Sequence, residues 1–486
     1  MNTLETSTKQ PLVMRFLPIL AALSSIAIAA PKLGRPSYWY DEAASMSAAN
    51  RPLVDLYSLV KSVDIVHGFY YSLLHGWISF WGQHEWATRS LSLVFLAAAA
   101  YGFAVLTSRL FSTATSVMAT VLFVALPGVT WTGAEARGWS LSVALVVWSF
   151  VVLDVSIQYR TLLTRILYTL LVSGSIITCI YAVLLLPAHL YFAGRMRDSN
   201  DAYRLVLPSW VIACIVSGPV VLLAVSQRAQ VGWISLTPTR IAAKVAIGQL
   251  FLGPRDGSDA SLVVIGAGVA CVVAVLLGLV AVAVGAREDR PATLFGFAWF
   301  LVPTFVLAGA TALDAHLYQE RYLAFAAPGA CIVIAQGLSL IRPRFAVAAL
   351  AVLLGVTIPA QLDQAGAESK SGEGYRRLAI AAGEVDAVVY TAVASRGIGI
   401  AYPDPLRHAK DVFLSRSPAS SGTLWGINDP SEGRLNSLKG RVAVYYRSAK
   451  RFVAVPAVSY LLHRGCHQEA KPTKDKRFSV GILDCG

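Results

Sequence analysis

The chain has 486 residues, 56% of them hydrophobic and only 14% charged, where soluble domains carry about 25% charged residues. With a mean hydropathy of +0.58, that excludes a soluble globular protein and defines a polytopic membrane protein. The net charge of +13 does not indicate nucleic acid, because Lys and Arg are scattered between apolar segments, as charges that set membrane topology are.

In chain order, the first apolar stretch covers about 14–33. Its Ala27-Ile28-Ala29 mimics a signal-peptide cleavage site, but the topology below requires an uncleaved span. "PSYWYDEAASM" (36–46) follows, setting the adjacent carboxylates Asp41 and Glu42 among aromatics. "HGFYYSLLHGWISFW" (67–81) is about fifteen residues, too short to span and rich in Trp and Tyr, so it predicts a helix lying in the membrane interface.

Further spans are expected at about 89–108, 116–134, 138–157, 163–180, 181–194, 205–225, 261–286, 292–313, 322–341 and 345–361, about eleven in all with the first. The run 162–194 is too long for one span and predicts a hairpin turning near Cys179-Ile180-Tyr181. From about 362 the chain becomes polar. "VDAVVYT", "DVFLS", "RVAVYYR" and "RFSVGILDC" read as strands alternating with helical stretches at 375–383 and 455–463, a small α/β domain. The expected division is a membrane domain over 1–361, with a long loop at 34–88, and a second domain over 362–486.

Short basic loops carry Arg109, Arg160 with Arg165, Arg195 with Arg197 and Arg204, Arg287 with Arg290, and Arg342 with Arg344. The positive-inside rule puts all five in the cytoplasm with the N-terminus. Alternation then places outside the loop 34–88, "GAEARGW" (133–139), the loop 226–260, "DAHLYQERY" (314–322) and the tail. Cys179, Cys214, Cys271 and Cys331 lie in apolar segments and read as small hydrophobes. Cys466 and Cys485 form an isolated pair in the polar tail and read as a disulfide in an oxidising compartment.

In so charge-poor a chain, ionisable residues gathered on one side are informative. The outer ones are Asp41, Glu42, Asp64, His67, Glu135, Arg137, Asp314, His316, Glu320 and Arg321, most of them beside a span or an aromatic, where an unpaired charge is costly. Bland readings stand beside these: Asp41 and Glu42 suit a helix N-terminus, Arg321 a snorkelling anchor, and the aromatics an interfacial belt. Tyr40, Tyr70 and Tyr71 would also offer flat surface to a sugar ring or lipid chain, and His75 reads as structural. No P-loop, GxGxxG, HExxH, CxxC or GxSxG motif occurs, so nucleotide-driven transport, zinc proteolysis and serine hydrolysis lack support.

"YWYDEAAS", "HGFYYSLLHGW", "EWATRSLSLVFLAAAAYGFAVLTSRLF", "GAEARGWSLSVALVV" and "QERYLAFAAPG" resemble, in order and spacing, the successive blocks of GT-C glycosyltransferases, in the branch of protein O-mannosyltransferases and aminoarabinose transferases. The likeness covers about residues 12–345, and the tail with its near-terminal cysteine is similar to actinobacterial members. Where many relatives read "HPPLYY", this chain reads "HGFYY". The resemblance implies a polyprenyl-phosphate sugar donor, a glycan, glycolipid or protein acceptor in the cell envelope, mannose or arabinose as the sugar, and inversion at the anomeric carbon on the outer face, with Asp41 matching the catalytic aspartate.

The chemistry agrees. An acceptor hydroxyl needs a base, for which Asp41 with Glu42 is the candidate. The departing phosphate needs cations, for which Arg137, Arg321 and His67 are candidates, oriented by Glu135 and Glu320. A divalent cation on Asp41 and Glu42 is the less favoured alternative cofactor. The competing function is a flippase or transporter of lipid-linked sugars, against which stands the near absence of charge within the spans.

Overall fold

The computed structural model describes residues 12–197, 202–252 and 290–486, and between them 269, 273, 276–280 and 283. The chain divides into two compact units. One comprises Met1–Ala30, Ser92–Ala134 and Gly138–Gln361; the other comprises Pro31–Leu91, Glu135–Arg137 and Leu362–Gly486.

Among the described residues seven helices are long and apolar enough to cross a membrane: Leu12–Lys32, Glu85–Leu110, Trp139–Tyr159, Tyr203–Ser226, Arg290–Ala312, Glu320–Ser339 and Pro343–Gln364. Two shorter apolar segments, Leu162–Thr178 and Ile180–Met196, and a pair, Thr113–Ala125 with Pro127–Gly133, bent by 59°, fall on the remaining expected stretches. The exception is 261–286, which lies largely outside the described residues, as do Cys271 and Arg287. This is a multi-pass membrane protein.

The breaks have local causes. Pro127 opens the second half of the bent pair and Leu126 before it is extended, at φ −63° and ψ 123°, because the proline ring clashes with a helical predecessor. Cys179, at φ −151° and ψ 103°, ends the helix where the hairpin was expected to turn. Helices Arg290–Ala312 and Ala327–Ser339 meet at bare backbone. A Cβ on Gly296 would lie 2.9 Å from the Gly329 carbonyl oxygen, and one on Gly329 would lie 2.7 Å from that of Gly296. Small residues let membrane helices approach this closely.

The second unit joins the 31–91 segment to the tail. Its helices Tyr40–Ala49, Leu53–Ser62 and Gly68–Trp81 come from the first segment. The last has 14 residues, about 21 Å of helix, well short of the ~30 Å hydrocarbon core. The tail supplies strands β1 (Ala387–Tyr390), β2 (Lys410–Asp411), β3 (Leu414–Arg416), β4 (Ile427–Asn428), β5 (Arg441–Arg447), β6 (His467–Gln468), β7 (Thr473–Lys474) and β8 (Phe478–Asp484). One sheet runs β2-β1-β5-β8-β6 with β7 also on β8, and β3 pairs with β4.

Strands β1, β2 and β5 are parallel, and β8 is antiparallel to β5. "RVAVYYR" is buried at all five inner positions, so the sheet is covered on both faces, which explains a continuous apolar run in place of alternation. Val389, Val442, Val444, Leu461 and Leu483 form its core beside Cys466, and Cys466 is disulfide-bonded to Cys485, as expected.

Polar contacts tie the two parts of this unit together. Arg51 donates to the carbonyls of Pro418 at 3.0 Å and Thr423 at 2.6 Å. Glu85 accepts from Arg376 and from the Tyr402 hydroxyl, each at 2.6 Å. His75 holds the Ala49 carbonyl at 2.8 Å, the structural role expected of it.

Candidate functional site

Asp41 and Glu42 sit in the first turn of helix Tyr40–Ala49, favoured there by the helix dipole, and point to different surroundings. Glu42 is fully buried. Arg89 grips it bidentately, Nε to Oε1 at 2.7 Å and Nη2 to Oε2 at 2.6 Å. Lys370 Nζ lies 3.3 Å from Oε1, and the Ala136 backbone N–H donates to the same oxygen at 3.0 Å. Burial alone would push the Glu42 carboxyl up, but Arg89 and then Lys370 outweigh it and hold it below its ordinary range. Burial draws Lys370 down to about 8 although Glu42 opposes this. Arg89 also donates to the carbonyls of Leu33 at 2.5 Å and Pro36 at 2.8 Å, fixing the chain that leads into the helix.

This network brings Asp41 and Arg137 together. Asp41 follows Tyr40 and precedes Glu42; Arg137 follows Ala136. Anchoring Glu42 to Ala136 sets Asp41 Oδ1 3.4 Å from Arg137 Nη2, with the two side chains 14% and 6% exposed. Arg137 Nη1 donates to the Tyr71 hydroxyl at 2.6 Å, which donates to Asp64 Oδ2 at 2.9 Å. Asp64 lies 4.0 Å from Arg137. Burial works against the charge of Arg137, but Tyr71, Asp41, Asp64 and Glu135 together hold it firmly protonated. Asp64 is pushed up by burial and further by Asp41, against Arg137 and Tyr71. Its φ of 59° is a left-handed conformation uncommon outside glycine and seen at strained functional sites.

Two carboxylates therefore share one guanidinium, and burial shifts Asp64 toward its neutral form.

Several expectations are corrected. Glu42 cannot serve as a catalytic carboxylate or hold a divalent cation jointly with Asp41, because its oxygens are turned into a closed cage of cationic and N–H donors. Tyr70 and Tyr71 are 1% and 0% exposed, so neither offers a ring face to a sugar, and Tyr71 acts through its hydroxyl. The Tyr40 ring is covered by the Arg477 guanidinium at 3.7 Å and packs on Trp425. His67 closes a 3-10 turn at Ile65–His67, its ring 5.8 Å from that of Tyr71.

Glu135 is buried, and its backbone carbonyl accepts from the Arg137 N–H at 2.8 Å. Glu320 and Arg321 belong to the other unit. There Glu320 pairs with Lys244, whose Nζ is 2.7 and 2.9 Å from its oxygens, rather than serving only to orient an arginine. Arg321 lies beside the Tyr322 ring. The spans are also less free of charge than expected, since Arg89 and Asp154 are buried in helices Glu85–Leu110 and Trp139–Tyr159.

Sequence reasoning missed Arg89, Lys370, Glu373 and Arg477. An arginine inside an apolar helix is a readable signal, whereas Lys370 and Glu373 in "AESKSGEGY" look like a solvated loop. Glu373 Oε2 accepts the Tyr40 backbone N–H at 2.9 Å, satisfying an open donor at the start of the Asp41 helix. Burial pushes Glu373 up to about 7.

A raised carboxyl pKa means the folded state holds its proton more tightly than the unfolded chain. The stabilisation is then present below the unfolded value and lost as pH rises through about 7. Between pH 5 and pH 8 the loss should be roughly 2 kcal/mol. Thermal unfolding of Glu373→Gln in detergent should lack this part of the wild-type pH slope. Parallel slopes for the two proteins would contradict the assignment.

No protein-family model and no curated protein sequence matches the chain. Solved structures do. ArnT from Cupriavidus metallidurans in the apo state is similar with a TM-score of 0.63 at 10% identity, over 96% of this chain and 97% of that one. Bound to undecaprenyl phosphate it is similar with a TM-score of 0.61 at 11% identity, over the same shares. The arabinofuranosyltransferase AftD from Mycobacteria is similar at 0.53 and 16% identity, over 100% of this chain and 40% of that one. The chain has the GT-C fold, the expected class: a helical membrane protein with a small α/β sheet formed by its tail.

Proposed function

We propose that this protein is an inverting glycosyltransferase that moves a sugar, mannose or arabinose, from a polyprenyl-phosphate donor to a hydroxyl of a cell-envelope acceptor. The carrying observation is Asp41 held 3.4 Å from a buried, charge-compensated Arg137 on a GT-C fold. The undecaprenyl phosphate bound to ArnT supports the donor class. In the proposed reaction the acceptor oxygen attacks the anomeric carbon while Asp41 takes its proton. The bond from that carbon to the phosphate oxygen breaks, and the polyprenyl phosphate leaves with the bonding electrons. Arg137 is proposed to steady that developing charge, with His67 as a further phosphate-binding candidate, and Asp64 and Tyr71 to hold Arg137 in place.

The proposed setting is the plasma membrane, with the N-terminus cytoplasmic and Asp41 and residues 362–486 outside. The test is transfer from a panel of radiolabelled polyprenyl-phosphate sugars in membranes from cells making the protein. One donor should give labelled acceptor, and with donor confined to the outer leaflet of reconstituted vesicles the product should form without movement across the bilayer. Movement of donor without product would identify a transporter instead.

A further inference from the structure

A second polar site lies within the membrane unit, at the ends of its spans. Helix Glu85–Leu110 finishes at Arg109 and Leu110, and helix Trp139–Tyr159 carries Asp154 five residues before its end, about 7 Å of helix rise. Asp154 is 3% exposed and takes two arginines: Arg109 Nε at 2.5 Å, and Arg197, which follows the π-helical turn Phe192–Met196. Arg109 also donates to the Gln158 side chain at 3.0 Å. These residues line a cavity of about 480 Å³. The end of helix Glu85–Leu110 and the turn Phe192–Met196 also flank another cavity, of about 310 Å³, lined by Arg195, Ser112 and Thr115 among others.

Neutralising one buried carboxylate requires one cation, so among the described lining residues the second arginine leaves a net positive charge. Arg109 and Arg197 are 36% and 30% exposed, and each guanidinium has five N–H donors, of which Asp154 and Gln158 occupy a minority. A clamp that only closed off Asp154 would be packed solid. Here the volume is that of a ligand site, beside the ends of two apolar helices long enough to span, and basic pockets between transmembrane helices bind anionic head groups.

We propose that this cavity holds the phosphate of an anionic phospholipid, gripped by Arg109 and Arg197, with Asp154 setting their spacing. A lipid phosphate and free phosphate share the recognising chemistry, and the measurement separates them. The full-length protein in detergent is titrated with phosphatidylglycerol, phosphatidylcholine or inorganic phosphate and followed by native mass spectrometry.

Phosphatidylglycerol should be retained over phosphatidylcholine by about fivefold or more, and millimolar phosphate should not displace it. Arg197→Gln should erase that preference. Gln158→Glu, which leaves both partners of Asp154 in place and adds a negative charge to the lining, should do the same even if Arg197→Gln fails to fold. Equal retention of the two lipids by the wild type, an unchanged preference in Gln158→Glu, or displacement by inorganic phosphate would each overturn the proposal.

Discussion

Asp41→Asn is expected to lower sugar transfer by a factor of about 10²–10⁴, the usual worth of a positioned general base, while leaving thermal unfolding close to that of the wild type. The change keeps the shape and one hydrogen-bonding oxygen but removes the group that accepts the proton. Asp41 is partly exposed and meets Arg137 at 3.4 Å, while the rest of the Arg137 environment, Tyr71 at 2.6 Å and Asp64, is untouched. Initial rates with saturating donor, alongside a melting curve of the same preparation, are the measurement. Full activity in Asp41→Asn would remove the base from the mechanism, and loss of activity together with a collapsed melting curve would recast Asp41 as structural.

Glu42→Gln should show the opposite pattern. Breaking one side of a buried ion pair costs about 3–5 kcal/mol, because the partner charge remains buried without compensation. Here two cations, Arg89 and Lys370, converge on one carboxylate. The variant should melt well below the wild type, or fail to accumulate in membranes, and any residual protein should lose transfer because Ala136 and hence Arg137 are no longer pinned. Glu42→Asp, which keeps the charge on a shorter arm, should recover part of the stability. A wild-type melting curve for Glu42→Gln would mean that the network does not hold the helix.

The two adjacent acids illustrate the reach of sequence reading. That Asp41-Glu42 opens a helix was legible from composition and dipole preference, and so was the membrane architecture, since a span is a matter of consecutive apolar length. The strands of the tail were legible too, because "VVY" and "RVAVYYR" are β-branched and aromatic runs between turn residues. The disulfide could be read from two isolated cysteines in a polar segment.

Which acid of the pair turns outward was not legible, because one helical step of about 100° separates them and only the partners each meets decide between cage and cluster. Those partners come from distant positions: Arg89, Ala136 and Lys370 for Glu42, and Asp64, Tyr71 and Arg137 for the cluster around Asp41. Tyr70 and Tyr71 were misread for the same reason, since an aromatic that faces a lipid and one that is sealed inside have the same letter and spacing.

By itself, the sequence determined the multi-pass membrane character, the class of fold and the strand-forming character of the tail, all of which follow from local patterning. Only the tertiary structure decided that Glu42 is a buried anchor and Asp41 a partly open carboxylate, and that Lys370 and Glu373 support the helix that carries them. Charge pairing in a low-dielectric interior depends on distances of a few ångströms between segments up to 328 residues apart in the chain, and no local pattern encodes such distances.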